Sequence, residues 1–308
     1  MRNNFALRRS FRFVGKPMIA VKPRVREIQE GDLDAVGDLL TRGFVHRKRE
    51  YWMRGLHRQR TRPIPSQVPR YGYLLESEGV GVGCLLLIYA SRIVDGKPAL
   101  FCNVSSWYVD PAFRNYAALF ASMTQKRKDV TYFNVTPATP TWPILEAQGY
   151  VAYCRGLHFS MPALSASGRG MTIEAVAPET PAVAGLTGDE LALLRRHAEY
   201  GCLSLVCRSA ESAFPFILFP LRKRRGVIPL PAVQLGFCRS IDDYVRCAGA
   251  IGRYLLRHGK PVIIADANGP MAALPGIYTE ARGRKYFRGP YRPRLGDLAD
   301  TELAIFGM

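Results

Sequence analysis

A strand-to-helix turn in the first half of the chain carries the residues best suited to hold a ligand. The segment reads Trp107-Tyr-Val-Asp-Pro-Ala-Phe-Arg-Asn-Tyr-Ala-Ala-Leu119. Strand pairing must stop at Pro111, which has no N–H to donate, and a helix is expected from about Phe113 to Lys126. A helix that opens there directs unpaired N–H groups and the positive end of its dipole at one place. The turn therefore predicts a phosphate site built on Arg114 and the N–H groups of Asn115 to Ala118. The competing interpretation is a plain strand-to-helix connection.

The same turn resembles the phosphate-binding motif of the GCN5-related N-acetyltransferase (GNAT) superfamily. That motif, V-x-P-x-(Y/F)-R-G-x-G-x-G, holds the pyrophosphate of acyl-coenzyme A. Four positions match it: Val109, Pro111, Phe113 and Arg114. The three glycine positions hold other residues: Asn115, Ala117 and Leu119. The resemblance implies acyl-coenzyme A or acetyl-coenzyme A as co-substrate. It assigns the binding to Trp107, Val109, Arg114, Asn115, Tyr116, Ala117 and Ala118.

A second segment departs from the same family in a way that bears on catalysis. Glu146-Ala-Gln-Gly-Tyr150 is similar to the family's Y-E-K-x-G-F segment, in which the tyrosine often protonates the leaving thiolate. Leu145 occupies that tyrosine position, and an aliphatic side chain cannot donate a proton. The sequence therefore identifies no general acid.

The strand that leads into the turn offers polar side chains but no strong base. Strand alternation predicts one shared face for Asn103, Ser105, Trp107 and Val109. We expect Asn103 and Ser105 either to orient a water or the acceptor, or to be ordinary hydrogen-bonded strand positions. The catalytic residues stay unassigned.

Positive charge is concentrated before the first expected hairpin. The 308 residues include 43 Lys and Arg against 25 Asp and Glu, a formal charge of +18, which favours an anionic partner. The helix expected at Arg47–Gln59 is strongly basic and carries Tyr51, which can stack on a nucleobase. Because the first helices of GNAT proteins line the acceptor side, the resemblance implies a small or acidic acceptor near Tyr51. RNA or an anionic membrane surface is the alternative partner. A further basic run, Arg222–Arg225, is expected at a hairpin tip.

Several common kinds of site are absent from the sequence. The seven cysteines form no C-x-x-C pair and the five histidines no i, i+4 pair, so we expect no metal and a reducing, cytoplasmic location. The sequence has neither a Walker-type loop nor a G-x-S-x-G elbow. The apolar run Val80–Ala90 is shorter than the about 20 residues of a transmembrane helix, so no membrane span is expected.

Repeated dipeptides divide the chain into two similar halves. Tyr71-Gly72 recurs as Tyr200-Gly201, and Arg155-Gly156 as Arg282-Gly283. Between these anchors each half offers a hairpin, a long strand, a helix and a strand in the same order. The predicted fold class is α/β with mixed sheets: two tandem GNAT-like domains, each a mostly antiparallel sheet flanked by helices, the second a degenerate copy. The predicted boundaries are a basic N-terminal arm at 1–23, a first domain at 24–160, a linker at 161–183 and a second domain at 184–308.

Three functions stay open at this point. The favoured one is an enzyme that moves an acyl group from acyl-coenzyme A to an amine or hydroxyl acceptor, with the coenzyme in the first half. The second is an aminoacyl transferase that uses aminoacyl-tRNA, because tandem GNAT-like proteins of that class resemble this layout and a charge of +18 suits an RNA backbone. The third is a non-catalytic protein that binds acyl-coenzyme A or acts as a scaffold.

Overall fold

A computed structural model describes residues 22–221 and 231–307 of the chain. The basic arm expected at 1–23 lies outside the described residues except for its last two positions, and the run Arg222–Arg225 lies outside them entirely. The strands are β1 (Arg24–Glu27), β2 (Gly72–Ser77), β3 (Val80–Val94), β4 (Lys97–Val109), β5 (Val130–Asn134), β6 (Val151–Cys154), β7 (Gly156–Ser160), β8 (Thr172–Ala175), β9 (Leu203–Arg208), β10 (Ala213–Pro220), β11 (Ala232–Phe237), β12 (Val262–Ala267), β13 (Gly276–Thr279) and β14 (Lys285–Arg288). The α-helices are α1 (Leu33–Gly43), α2 (Arg49–Thr61), α3 (Ala117–Thr124), α4 (Trp142–Ala147), α5 (Gly188–Glu199), α6 (Ile241–Arg257) and α7 (Glu302–Ile305).

Two seven-stranded mixed sheets form the framework of the described residues. The first has the order β1-β2-β3-β4-β5-β14-β6, and the second has the order β8-β9-β10-β11-β12-β7-β13. Neighbouring strands are antiparallel except for β4 with β5 and β11 with β12, which run parallel. The predicted α/β fold class is confirmed, and the two sheets are built in the same order.

Each sheet takes one strand from the other half of the chain. β14 pairs between β5 and β6 in the first sheet, and β7 pairs between β12 and β13 in the second. The boundary predicted near residue 160 therefore does not separate two self-contained sheets. The stretch 161–183, expected to be a linker, contains β8, which pairs with β9 at the edge of the second sheet.

Glycine is required where the exchanged strands begin. A Cβ at Gly156 would lie 2.2 Å from the carbonyl oxygen of Thr279. Gly283 has a φ of +85°, and a Cβ there would lie 2.4 Å from Leu157 Cγ. Real side chains do not fit at such distances, and the left-handed backbone of Gly283 also disfavours them. The Arg-Gly dipeptides that repeat in the sequence thus mark the two places where the chain changes sheet.

A buried ion pair lies beside these places. Lys285 Nζ is 2.8 Å from Asp266 Oδ1 and 3.2 Å from the carbonyl oxygen of Gly283, and both side chains are almost inaccessible. Lys285 begins β14 of the first sheet and Asp266 belongs to β12 of the second, so the pair joins the sheets. Burial raises the pKa of the Asp266 carboxyl, although the Lys285 ammonium partly opposes this.

One hydrophobic core lies between the two halves. Phe101 of β4 and Phe133 of β5 pack in it with Ile217 and Phe219 of β10 and Leu194 of α5. All five side chains are buried. Removal of so much apolar surface from water is the main force that holds the halves together.

A second core lies between the first sheet and α1 and α2. The apolar residues of α1 recur at helical spacing and are buried in this core: Leu33, Val36, Leu39 and Leu40. The basic helix expected at Arg47–Gln59 is α2, which begins and ends two residues later and stops before Pro63. The end of the chain, Ile305 and Phe306, packs into the same core. The C-terminal segment of the second half therefore returns to the first half.

Candidate functional site

β4 and β5 lie side by side for only four residues. Their parallel pairing joins Leu100–Asn103 to Val130–Phe133. Beyond these residues β4 continues to Val109, whereas β5 ends at Asn134. In the described part of the chain no backbone pairing joins the two strands past Asn103, so the end of β4 has no strand beside it on this side. We name this gap the β4–β5 opening. Ligands of open α/β sheets typically bind at the carboxyl ends of such strands.

A β-bulge turns the end of β4. Two alternate residues of β3, Leu85 and Leu87, pair with Trp107 and Val104. The single residue between them therefore faces two residues on β4, Ser105–Ser106. An extra residue of this kind reverses the alternation of side chains for the rest of the strand.

The predicted shared face of four β4 residues is therefore wrong. Trp107 and Val109 contact the core on the α3 side of the sheet. Asn103 pairs with Ile88, which belongs to the core under α1 and α2, and Ser105 follows Asn103 on that face. The bulge thus separates the two predicted groups, with the coenzyme candidates on one face and the acceptor candidates on the other.

Trp107 keeps an unused donor near the opening. Its indole N–H is buried and has no hydrogen-bond acceptor among the described residues. A buried donor without a partner costs free energy, on the order of 1–3 kcal/mol. A ligand carbonyl at this place would remove that cost.

The turn after β4 is not the start of the α-helix that was predicted from about Phe113. Residues Pro111–Tyr116 form a 3-10 helix, and α3 begins only at Ala117. The N–H of Phe113 donates to the carbonyl of Asp110 at 2.9 Å, and the N–H of Ala117 donates to that of Arg114. In a 3-10 helix each N–H bonds to the carbonyl three residues earlier. The predicted row of unpaired N–H groups over Asn115–Ala118 is therefore largely used within the turn itself.

The remaining predicted coenzyme residues gather around the start of α3. Arg114, Asn115 and Ala118 are exposed, whereas Tyr116 and Ala117 are half-buried. Asp110, which precedes the turn, pairs with Arg42 at 3.1 Å, so its negative charge is offset. Arg114 supplies an exposed positive charge at the end of the β4–β5 opening.

The Asn103 side chain links β4, on which it lies, to β5 and to α7. Its side chain is fully buried, its Oδ1 accepts the backbone N–H of Glu302 at 2.8 Å, and its Nδ2 donates to the carbonyl of Phe133 at 3.2 Å. Both polar atoms are therefore engaged inside the protein. Asn103 fixes the start of α7 at the point where β4 and β5 diverge.

Glu302 is the carboxylate that strand analysis of β4 does not find. Its Oε2 accepts the Ser105 hydroxyl at 2.5 Å, and its Oε1 accepts the Thr136 hydroxyl at 2.5 Å. Ser105 lies on β4 and Thr136 follows β5, so this carboxylate bridges the two diverging strands. Burial raises the pKa of Glu302, and the two hydroxyl donors partly oppose this. No local pattern marks the residue, because its partners lie 197 and 166 positions away.

The position of α7 is fixed from the α2 side as well. The Phe306 and Trp52 rings lie 5.7 Å apart. The Tyr51 hydroxyl donates to the carbonyl of Gly307 at 3.0 Å, and Arg58 donates to that of Ile305 at 3.0 Å. Tyr51 is predicted to contact the acceptor, but in the structure its hydroxyl holds the C-terminal segment.

Two of the four arginines of α2 form ion pairs with acids of neighbouring segments in the described part of the chain. Arg49 pairs with Asp38 at 2.7 Å and with Asp34 at 2.5 Å, and Arg60 pairs with Glu30 at 2.9 Å. These exposed pairs contribute little to stability, but they reduce the charge that the helix presents to a partner.

The second sheet has a corresponding gap that its own chain fills. β11 and β12 pair in parallel over three residues, from Ala232↔Val262 to Gln234↔Ile264. The segment 296–298 then lies along the end of β11: Leu298 donates to the carbonyl of Gly236 at 2.7 Å, and Gly296 accepts from Cys238 at 2.9 Å.

The helix that follows β11 is also unsuited to a phosphate. Ser240 caps α6, and Asp242 and Asp243 occupy its first turn. Acids at a helix start repel an anion. The second half is therefore a poor place for a phosphorylated ligand.

Two further features of the described residues bear on function classes. Nowhere in 22–221 or 231–307 do three or more His, Cys, Asp or Glu side chains lie close enough to hold a metal ion. None of the helices in these two ranges has the length and apolar character needed to cross a bilayer.

Comparisons with known proteins give a likeness in structure only. No family model and no curated protein matches the sequence. A GCN5-related N-acetyltransferase from Anabaena variabilis ATCC 29413 is 11% identical with a TM-score of 0.55, over 86% of this chain and 72% of that chain. A protein from Pyrococcus horikoshii, provisionally described as an acetyltransferase, is 11% identical with a TM-score of 0.55, over 97% of this chain and 96% of that chain. A GCN5-related N-acetyltransferase from Kribbella flavida is 14% identical with a TM-score of 0.51, over 87% of this chain and 72% of that chain.

These similarities cover most of each chain, so they concern both sheets and not the first half alone. At such low identity they concern the backbone and not the chemistry of single side chains. The likeness that residues 109–114 suggest is confirmed at the level of architecture: this chain has the fold of the GCN5-related N-acetyltransferases.

Proposed function

We propose that the first half of the protein transfers an acyl group from acyl-coenzyme A to an amine or hydroxyl acceptor. The observation that carries this proposal is the β4–β5 opening, where beyond Asn103 no backbone pairing with β5 is seen among the described residues at the end of β4 and the Glu302 side chain crosses to the segment after β5. In the second sheet, residues 296–298 instead form backbone hydrogen bonds along the end of β11. The start of α3 and the exposed Arg114 lie at the end of this opening. An opening of this kind accepts an extended chain such as the pantetheine arm, with phosphates at the helix start.

The residues present fit such a ligand with fewer contacts than the family motif provides. The indole N–H of Trp107 is a buried donor free for a carbonyl of the ligand. Arg114 is available for a phosphate, whereas the 3-10 turn uses the N–H groups of Phe113 and Ala117 internally. Binding of the pyrophosphate therefore depends strongly on the Arg114 side chain.

The reaction needs no strong acid in this site. Attack of an acceptor amine on the thioester forms a C–N bond, breaks the C–S bond and releases a thiolate. A thiol has a pKa of about 8.5, so its thiolate leaves readily without a protonating tyrosine. The aliphatic Leu145 in the family's tyrosine position is compatible with this reaction. A proton must still leave the attacking nitrogen or oxygen.

We do not extend the proposal to an acidic acceptor or to RNA. The charge of α2 suggested such a partner, but Arg49 and Arg60 pair with acids of α1 and of the turn before it. A neutral small amine or alcohol suits this surface equally well.

Calorimetry with acetyl-coenzyme A and with palmitoyl-coenzyme A tests the binding step. We expect wild type to bind at least one of them and Arg114→Glu to bind at least about tenfold more weakly, because a charged hydrogen bond contributes about 1.5–3 kcal/mol. Arg257→Glu, on the exposed end of α6, is the matched control and should bind like wild type. If neither coenzyme binds wild type, the proposal is refuted. Unchanged affinity in Arg114→Glu removes Arg114 from the site.

Turnover separates an enzyme from a protein that only binds. Release of free coenzyme A thiol is measured with wild type, acetyl-coenzyme A and a panel of primary amines and alcohols. Acceptor-dependent release supports the transfer reaction. Binding without release favours a scaffold or sensor.

A further inference from the structure

A carboxylate from the second half of the chain lies across the β4–β5 opening of the first half. Glu302, the first residue of α7, accepts hydroxyl hydrogen bonds from Ser105 on β4 and Thr136 after β5, both at 2.5 Å. As a residue, Glu302 is half-buried. Ser105 lies on the α1–α2 face of the sheet, opposite to the face that holds Trp107.

From this geometry we propose that Glu302 is the general base of the first-half site and takes the proton from the acceptor amine. This inference rests on the proposed acyl transfer. It also explains how a site whose own strand carries no base can deprotonate an acceptor. The two halves would then be catalytically inseparable, because the base of the first is supplied by the C-terminal segment that follows the second sheet.

The hydrogen-bond arrangement suits a base. An ionised carboxylate offers about four acceptor positions on its two oxygens. Ser105 and Thr136 occupy one on each oxygen, so each keeps a position for the amine N–H. Burial raises the pKa of Glu302, which brings its basicity closer to that of the group it deprotonates.

Charged groups on the neighbouring elements are engaged elsewhere. Asp300, just before α7, pairs with Arg196 of α5 at 3.1 Å. Arg58 of α2 donates to backbone carbonyls of α7 and of the turn after α5. The Tyr108 hydroxyl of β4 lies near Asp110, the acid that follows the strand. The Glu302 carboxylate contacts two neutral hydroxyls, so its ionisation is governed mainly by burial.

The step balances without a further reactant. The amine nitrogen attacks the thioester carbon, and its excess proton passes to Glu302. The C–S bond then breaks, and the thiolate leaves with the bonding electron pair. Glu302 gives its proton up through water to the thiolate, which yields free coenzyme A and restores the carboxylate.

Ser105, Thr136 and Asn103 act as positioning residues. The first two hold the carboxylate oxygens, and Asn103 holds the backbone N–H of Glu302 at 2.8 Å. None of them needs to change its protonation state. Loss of one of these contacts should lower kcat by less than loss of the carboxylate itself.

Steady-state kinetics on the full chain, with acetyl-coenzyme A and the best primary amine of the panel, test the assignment. We expect Glu302→Gln to lower kcat by about 10²–10⁴-fold, the usual contribution of a general base, with little change in the KM for acetyl-coenzyme A. The acidic limb of the kcat/KM profile against pH should disappear. Added formate should restore part of kcat in Glu302→Ala. Glu199→Gln, an exposed glutamate at the end of α5, is the matched control and should retain wild-type kinetics.

Two results distinguish the general-base proposal from the acyl-transfer proposal on which it rests. Wild type that releases no thiol refutes both. Wild type that turns over, together with a Glu302→Gln variant within about threefold of it in kcat and with the same pH profile, refutes the general base alone. Calorimetry with acetyl-coenzyme A and a thermal melt accompany each variant, so that a folding defect is recognised. If Glu302→Gln does not fold, formate rescue of Glu302→Ala decides, and its absence counts against the base.

Discussion

Replacement of Asn103 tests whether one buried amide holds the two halves of the site together. The side chain is fully buried, and it links the start of α7 to the point where β4 and β5 diverge. Asn103→Ala removes both hydrogen bonds at once. It leaves the backbone N–H of Glu302 and the carbonyl of Phe133 without this partner, and it opens only a small space.

The expected loss of stability follows from these two contacts. A buried polar group left without its partner costs about 1–3 kcal/mol. The two groups together therefore destabilise the fold by roughly 2–6 kcal/mol. For a chain of this size we expect about 2–4 °C per kcal/mol, so the melting temperature should fall by roughly 4–24 °C. Asn103→Asp should do no better, because a carboxylate cannot donate to Phe133 and repels the carboxylate of Glu302.

Thermal unfolding followed by circular dichroism measures the effect. Asn115→Ala, at an exposed asparagine of the turn after β4, is the control for stability, and we expect it to stay within about 0.5 kcal/mol of wild type. In the active protein, Asn103→Ala should also lower kcat, because the start of α7 is no longer fixed. A melting temperature of Asn103→Ala within about 1 °C of wild type would contradict the reasoning.

Two further predictions concern stability. Burial lowers the pKa of His197, so the unfolded chain, with its ordinary pKa of about 6.5, takes up the proton first as the pH falls. The urea midpoint should therefore decrease between pH 7.5 and pH 5.5, and His197→Gln should show a shallower decrease; equal slopes would rule out this residue as a source. Asp266→Ala should destabilise the fold by about 3–5 kcal/mol, because it leaves the Lys285 ammonium buried and unpaired. In chemical denaturation the double variant Asp266→Leu/Lys285→Met should recover much of that loss, and a double variant no more stable than Asp266→Ala would show that the pair is not the cause.

Local signals in the sequence carried the prediction of the architecture. The residues 109–114 suggested the fold, and the repeated dipeptides at residues 71, 155, 200 and 282 indicated that the order of elements recurs. The basic helix expected at Arg47–Gln59 lies within two residues of α2 at both ends. Periodicity, turn residues and proline act over a few positions, so they are visible in one chain.

The same local rules failed where the structure depends on a single extra residue or on a partner far away in the sequence. One extra residue at Ser105–Ser106 reversed the faces of β4, and alternation alone cannot reveal it. The segment Pro111–Tyr116, which has no glycine, forms a 3-10 helix whose N–H groups are hydrogen-bonded within the turn. The exchange of β7 and β14 joins segments that carry no sign of their partners.

The sequence by itself determined the class of fold, the recurring order of elements and the position of Arg114 between β4 and α3. Only the tertiary structure decided which residues meet at the β4–β5 opening. Glu302 reaches Ser105 across 197 positions, and no periodic pattern extends so far. Local structure follows from the preferences of neighbouring residues, whereas a site depends on packing that brings distant segments together.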